Sequence, residues 1–94
     1  MTWYAAELTF RGTVLDDPKD EPLYETSIRL VQADSDDEAK TKAAALGNEG
    51  AHEYLNPDGE RVAWHFLKVG DVQEIEDQTL AHGAELFSRI SREI

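Results

Sequence analysis

The chain predicts an α+β fold of order β-β-α-β-β, an antiparallel or mixed four-stranded sheet with one helix packed on one face. Three observations carry this. Apolar and polar residues alternate through Trp3–Val14, the period of a strand with one buried side. A capped stretch with apolar residues at helical spacing begins at Ser35. A later run, Arg61 to about Ile75, is apolar at both odd and even positions, as strands in the middle of a sheet are.

The first strand puts Tyr4, Ala6, Leu8 and Phe10 on one face and Glu7, Thr9 and Arg11 on the other. Asp16 to Pro22, with two prolines and four carboxylates, breaks it and forms an exposed connection. The second strand, Leu23–Ala33, follows closely enough to make a hairpin. Ser35 can cap the next element, with Glu38 reaching back to complete a capping box and Asp36 and Asp37 favoured at the helix N-terminus. Ala39, Ala43, Leu46, Gly50 and Tyr54 then form one stripe of mostly small residues, suited to lying close on a sheet. Gly47 and Gly50 weaken the second half of this helix, and a break or kink is expected near them. Asn56-Pro57-Asp58-Gly59 is a turn by composition. In the strand that follows, Val62, Trp64 and Phe66 share one side, Ala63, Leu67 and Val69 the other, and Gly70 marks a bulge. Glu76–Gly83 is a polar connection, and Ala84–Ile94 closes the order as a final strand or short helix, with a strand favoured.

One helix cannot cover both sides of such a sheet. The second face, with Trp3 or Trp64 a candidate for it, is left to solvent, to loops or to another subunit, and a homodimer is the expectation. At 94 residues the chain is one domain, 1–94, with a single modest core. A hydrophobic content of 40% is too high for a disordered acidic tail.

Twenty Asp and Glu against nine Lys and Arg give a net charge of -11. Like charges would meet at a phosphate backbone or an anionic membrane, so neither nucleic acid nor membrane is an expected partner. The charge suits a soluble surface, or a partner with a basic face drawn in by a negative field. There is no cysteine, so disulfides and thiolate chemistry are excluded. The N-terminus has no basic region followed by an apolar run, and no apolar stretch is long enough to cross a bilayer, so a cytoplasmic location is expected.

Motifs that would carry chemistry fail on inspection. His52-Glu53-Tyr54-Leu55-Asn56 begins like a zinc-protease helix but has Asn56 where the second His must stand. Asn56–Glu60 looks like part of a calcium loop, yet the frame set by Gly59 puts Tyr54 first and His65 twelfth. There is no G-x-S-x-G elbow and no phosphate-binding glycine pattern. No cofactor, metal site or catalytic residue is therefore expected. One constellation is more suggestive. Glu25, Ser27 and Arg29 alternate on one face of the second strand, with Trp64 and His65 on the central one. An Arg facing Glu and an aromatic ring can form a pocket for an anion or a peptide carboxylate, or simply a cross-strand ion pair under Trp.

Trp3-Tyr4-Ala5-Ala6, Pro22-Leu23-Tyr24-Glu25 and Ser27 to Val31 with Ala33 resemble a family of small bacterial domains. The likeness continues through Ser35, Glu38, Ala39, Asn56, Gly59, Val62, Trp64, Phe66, Val69, Asp71-Val72 and Glu74-Ile75, and ends with Glu85, Phe87, Ser88 and Arg89. The family is known only as domain of unknown function 4288. The resemblance implies a bacterial or phage-like source and a stand-alone domain, and brings no chemistry with it. Within the matched blocks, Glu25, Arg29, Trp64, Asp71 and Glu74 are the positions least explained by a core, and so the candidates for a binding surface. The leading expectation is a non-enzymatic protein-interaction module acting through an acidic surface or an open sheet edge. An immunity-like inhibitor of a basic toxin is one form of it. The alternative is a small-ligand-binding or enzymatic domain using Glu25, Arg29 and Trp64.

Overall fold

The structure is a computed structural model that describes residues 1–17, 21–88, 90 and 92. Its order is β1 (Thr2–Val14), β2 (Leu23–Ala33), α1 (Asp36–Gly50), β3 (His52–Leu55) and β4 (Arg61–Glu74). The four strands form one antiparallel sheet in the order β2-β1-β4-β3, and α1 lies against β1, β2 and β4. The expected fold class and element order are those found.

Two elements differ from the sequence reading. The last strand of the order is not Ala84–Ile94. Its described residues are neither strand nor helix, and residues 89, 91, 93 and 94 lie outside the description. The additional strand is β3, whose Tyr54 was expected on the stripe of the helix. The helix stops at Gly50, because Ala51 turns extended (φ -67°, ψ 129°). The Asn56 turn then folds His52–Leu55 back onto β4. In that turn Asn56 Oδ1 accepts from the N–H groups of Asp58 and Glu60, and Gly59 takes the expected left-handed conformation at φ 80°.

The register explains why β4 reads as apolar on both sides. Val62, Trp64 and Phe66 pair with Val14, Gly12 and Phe10 of β1. Leu67 is then an extra residue, and from Val69 opposite Leu8 the inward parity has switched. A second extra residue at Gly70–Asp71, opposite Glu7, switches it back before Val72. The bulge expected at Gly70 is present, and the doubled periodicity records one core face read through two phase changes.

The core lies between the sheet and α1. Tyr4, Ala6, Leu8 and Phe10 from β1, Val31 and Ala33 from β2, and Ala39 and Ala43 from α1 are buried together. Leu46, Trp64, Phe66, Val69 and Val72 pack against them. Trp64 is therefore on the helix side of the sheet and not a candidate for the second face. Trp3, with its N–H and C=O both bonded to the Gln78 side chain, has the opposite parity on β1. The helix approaches closely because its stripe is small. A Cβ on Gly47 would overlap the ring of Phe66.

Ser35 caps α1 as expected, its Oγ accepting from Glu38 N–H at 3.2 Å. Besides reaching back to the Asp34 main chain rather than to that of Ser35, the Glu38 carboxylate bonds Lys42 Nζ at 3.0 Å, an i,i+4 pair. That hydrogen bond holds it below the usual carboxylate range. Among the described residues no helix is long and apolar enough to cross a membrane.

Candidate binding surface

The helix covers only part of its face of the sheet. Its C-terminal residues meet Phe66 and Phe10, and beyond them the sheet face is open. There a trough of about 290 Å³ is lined by Phe10, Glu25, Arg29, Gly50, His52, Tyr54 and Trp64. Phe10 and Trp64 come from the central strands, Glu25 and Arg29 from β2, and His52 and Tyr54 from β3. A second hollow of about 220 Å³, lined by Gly12, Leu23, Val62 and others, shares Tyr54 and Trp64 with it.

Local rules place each side chain. Alternation along β2 sends Glu25, Ser27 and Arg29 to the helix side, the parity of the buried Val31 and Ala33. Trp64 lies flat because its register partner is Gly12. A Cβ there would come within 2.7 Å of the indole. His52 Nδ1 donates to the Gly50 carbonyl at 2.8 Å, and its ring stacks on Tyr54 with centroids 5.7 Å apart. This leaves Nε2 as the free acceptor of the ring. Arg29 Nε donates to Ser27 Oγ at 2.9 Å. Among the described residues neither Glu25 nor Arg29 enters an ion pair.

Of the five residues expected at a binding surface, the structure brings three together: Glu25, Arg29 and Trp64. Asp71 sits in the β4 bulge opposite Glu7, and Glu74 pairs in register with Tyr4. The step from Tyr4 to Gly12 along β1 puts Glu74 roughly 26 Å from Trp64, at the far end of the sheet from the indole. Glu74 belongs to a different environment, in which burial, then Asp36 and Glu74 themselves, push the Tyr4 phenol above its ordinary value. Sequence reasoning missed His52 and Tyr54. Their alternation just before the Asn56–Gly59 turn was the available signal of a hairpin strand.

The two edges of the sheet differ. β3 is four residues long, a short edge that offers little to a pairing strand. β2 is eleven residues long and pairs with β1 in unbroken register from Thr2↔Ala33 to Gly12↔Leu23. Among the described residues its other side is paired to no strand. On the face away from the helix it exposes Tyr24 (64%), Ile28 (44%) and Leu30 (41%). Near its end the Gln32 carbonyl accepts from Lys42 Nζ at 2.7 Å, so one main-chain acceptor there is already taken.

Asp16 and Arg61 fasten β1 to the start of β4. The Arg61 main-chain N–H donates to Asp16 Oδ2 at 3.0 Å and its Nη2 to Oδ1 at 3.2 Å. These bonds, the main-chain one first, hold the Asp16 carboxyl below the usual range. Among the described residues no three His, Asp or Glu are grouped to hold a metal.

A family model described as Domain of unknown function (DUF4288) matches residues 3–88. The chain belongs to the DUF4288 family. The matched span contains α1, all four strands but for Thr2 of β1, and every residue of the trough, so this surface lies within the DUF4288 unit. No curated protein and no solved structure matches the chain.

Proposed function

We propose that this DUF4288 domain is a protein-interaction module that takes a strand of its partner on the open edge of β2. The observation that carries this is the edge itself: eleven residues in unbroken register, paired among the described residues on one side alone and carrying exposed Tyr24, Ile28 and Leu30. Proteins usually blunt such an edge with a bulge, a proline or a lysine. Among Leu23–Ala33 there is none of these. Strand addition draws affinity from main-chain hydrogen bonds and specificity from alternate side chains, and β2 offers both. The charge of -11 favours a partner with a basic rim, the form an inhibitor of a basic effector would take.

The test is capture of a partner from the organism's own cells by the tagged domain at low salt. The wild type should retain a specific protein that Ile28→Lys, which places a charge on the exposed edge, does not. Equal retention by both forms, or nothing above background, overturns edge docking.

The trough favours a second reading, a small carboxylate-bearing ligand held by Arg29 over Phe10 and Trp64. Its test is titration with small carboxylates followed by tryptophan fluorescence. Binding that survives Arg29→Ala undisturbed would rule it out.

A further inference from the structure

We propose that the partner on this edge is a second copy of the chain, paired β2 to β2, antiparallel and centred on Ser27. The proposal rests on the edge-docking reading and names its occupant. Its ground is charge complementarity within the strand. Glu25 and Arg29 are the only charged residues of Leu23–Ala33, opposite in sign and placed symmetrically about Ser27. In an antiparallel pair centred there, Glu25 faces the partner's Arg29 and Arg29 faces the partner's Glu25, closing two ion pairs across the two-fold axis. Neither residue has an ion pair within its own chain among the described residues.

The apolar positions obey the same symmetry. Tyr24 comes opposite the partner's Leu30, and Thr26 opposite the partner's Ile28. The exposed side chains of the open face thereby become cross-strand neighbours. Leu23 comes opposite the partner's Val31 on the helix side. The paired stretch ends at Val31, one residue before the Gln32 carbonyl that Lys42 occupies. Other registers fail. Centring on Glu25 or Arg29 sets like charges face to face, and a one-residue slip leaves the charges opposite Leu30 and Thr26 in one direction or Ile28 and Tyr24 in the other. The product is an eight-stranded antiparallel sheet whose two troughs, each lined by Glu25 and Arg29, adjoin at the axis.

The experiment is sedimentation equilibrium on the full chain at about tens of micromolar, the range of a weak complex. The wild type should dimerise. Glu25→Arg and Arg29→Glu, each replacing two attractions with two repulsions, should each weaken the dimer by about thirty-fold. The double variant should recover wild-type affinity. An equimolar mixture of the two single variants should form heterodimers, since each supplies the charge the other lacks. All three substituted positions, Glu25, Ile28 and Arg29, are exposed in the monomer, and far-ultraviolet circular dichroism checks that each variant is folded. Amide exchange of Tyr24–Leu30 should slow as the protein is concentrated. A monomeric wild type overturns the second-copy proposal while leaving the edge to be judged by partner capture. A dimer unaffected by Ile28→Lys, or charge swaps that fail to complement, also overturn it.

Discussion

Gly47→Ala sets two effects of known sign against each other. In the interior of an exposed helix, replacing glycine with alanine stabilises by about 1 kcal/mol, since glycine loses more backbone freedom on folding. Gly47 is not exposed. It faces the sheet, and a Cβ added there overlaps the ring of Phe66. That ring cannot swing aside without cost, because it packs against Phe10 with centroids 5.6 Å apart and interplanar angle 57°. Overpacking of this kind costs about 1–3 kcal/mol, so the net expectation is a loss of about 1 kcal/mol. Urea unfolding followed by tryptophan fluorescence reads it as a lower midpoint with unchanged slope. In a Phe66→Leu background the overlap is relieved and the same substitution should stabilise by about 1 kcal/mol, giving a coupling of about 2 kcal/mol. A higher midpoint for Gly47→Ala in the wild-type background would refute the reasoning, since it would mean the helix does not lie this close to β4.

Three further outcomes are expected. Ser35→Ala removes the acceptor of the Glu38 N–H and should cost about 1 kcal/mol, while Ser35→Asp should cost little; an unchanged melting temperature for Ser35→Ala would remove the cap from the account. Asp16 should titrate below an ordinary aspartate by carboxyl NMR, and because its folded value is depressed, its stabilising contribution is complete above the unfolded value and lost as pH falls through the folded one. Arg61→Ala should bring that value only part of the way back, because the larger cause, the main-chain N–H, remains. Salt separates the two kinds of partner. Raising ionic strength from about 0.01 to about 0.1 M shortens the screening length from roughly 30 to 10 Å, which should weaken capture of a basic protein but strengthen pairing of two chains that each carry -11. Self-association that falls with salt would mean the ion pairs at the axis outweigh the long-range repulsion.

The legible parts of this fold were those where one local rule acts alone. Alternation through β1 is uninterrupted, and its inward set is the core. Ser35 with its acidic neighbours marks the helix start without ambiguity. The Asn56–Gly59 turn follows from residues that supply its own hydrogen bonds. What misled were places where two rules share the same residues. Tyr54 stands four positions after Gly50, so it continues the helical stripe as well as it alternates with His52. Gly47 and Gly50 mark where the helix is weak, but only the extended Ala51 fixes the break just after Gly50 and frees Tyr54 for a strand. The tail after Gly83 has apolar residues at Leu86, Phe87 and Ile90 that suit a strand, yet both partners of β4 along Arg61–Trp64 are already taken by β1 and β3. Trp64 was open to either face because the two β4 bulges hide the parity. Three of the five candidate binding residues meet because they share strands with one parity. Asp71 and Glu74 were grouped with them by the resemblance alone, and distance along β4 separates them from Trp64.

The distribution of charge bears on why so open an edge persists. Outside β2 the acidic residues crowd the connections and the first turn of α1: Asp16, Asp17 and Glu21, then Asp34 to Glu38, then Glu76 and Asp77. Within β2 the charges are Glu25 and Arg29, which cancel. A chain that is strongly negative overall therefore presents an edge that is locally neutral. Net repulsion keeps encounters between copies infrequent and non-productive in most orientations, which protects an unblunted edge from indiscriminate pairing. The repulsion is least where the edge itself is presented, and only one register then satisfies both charges. An edge lysine would have blocked all strands alike. On the proposed pairing, a balanced pair on a negative body would admit one strand of fitting charge pattern and turn away the rest, a selection by cost against the wrong partner as much as by gain with the right one.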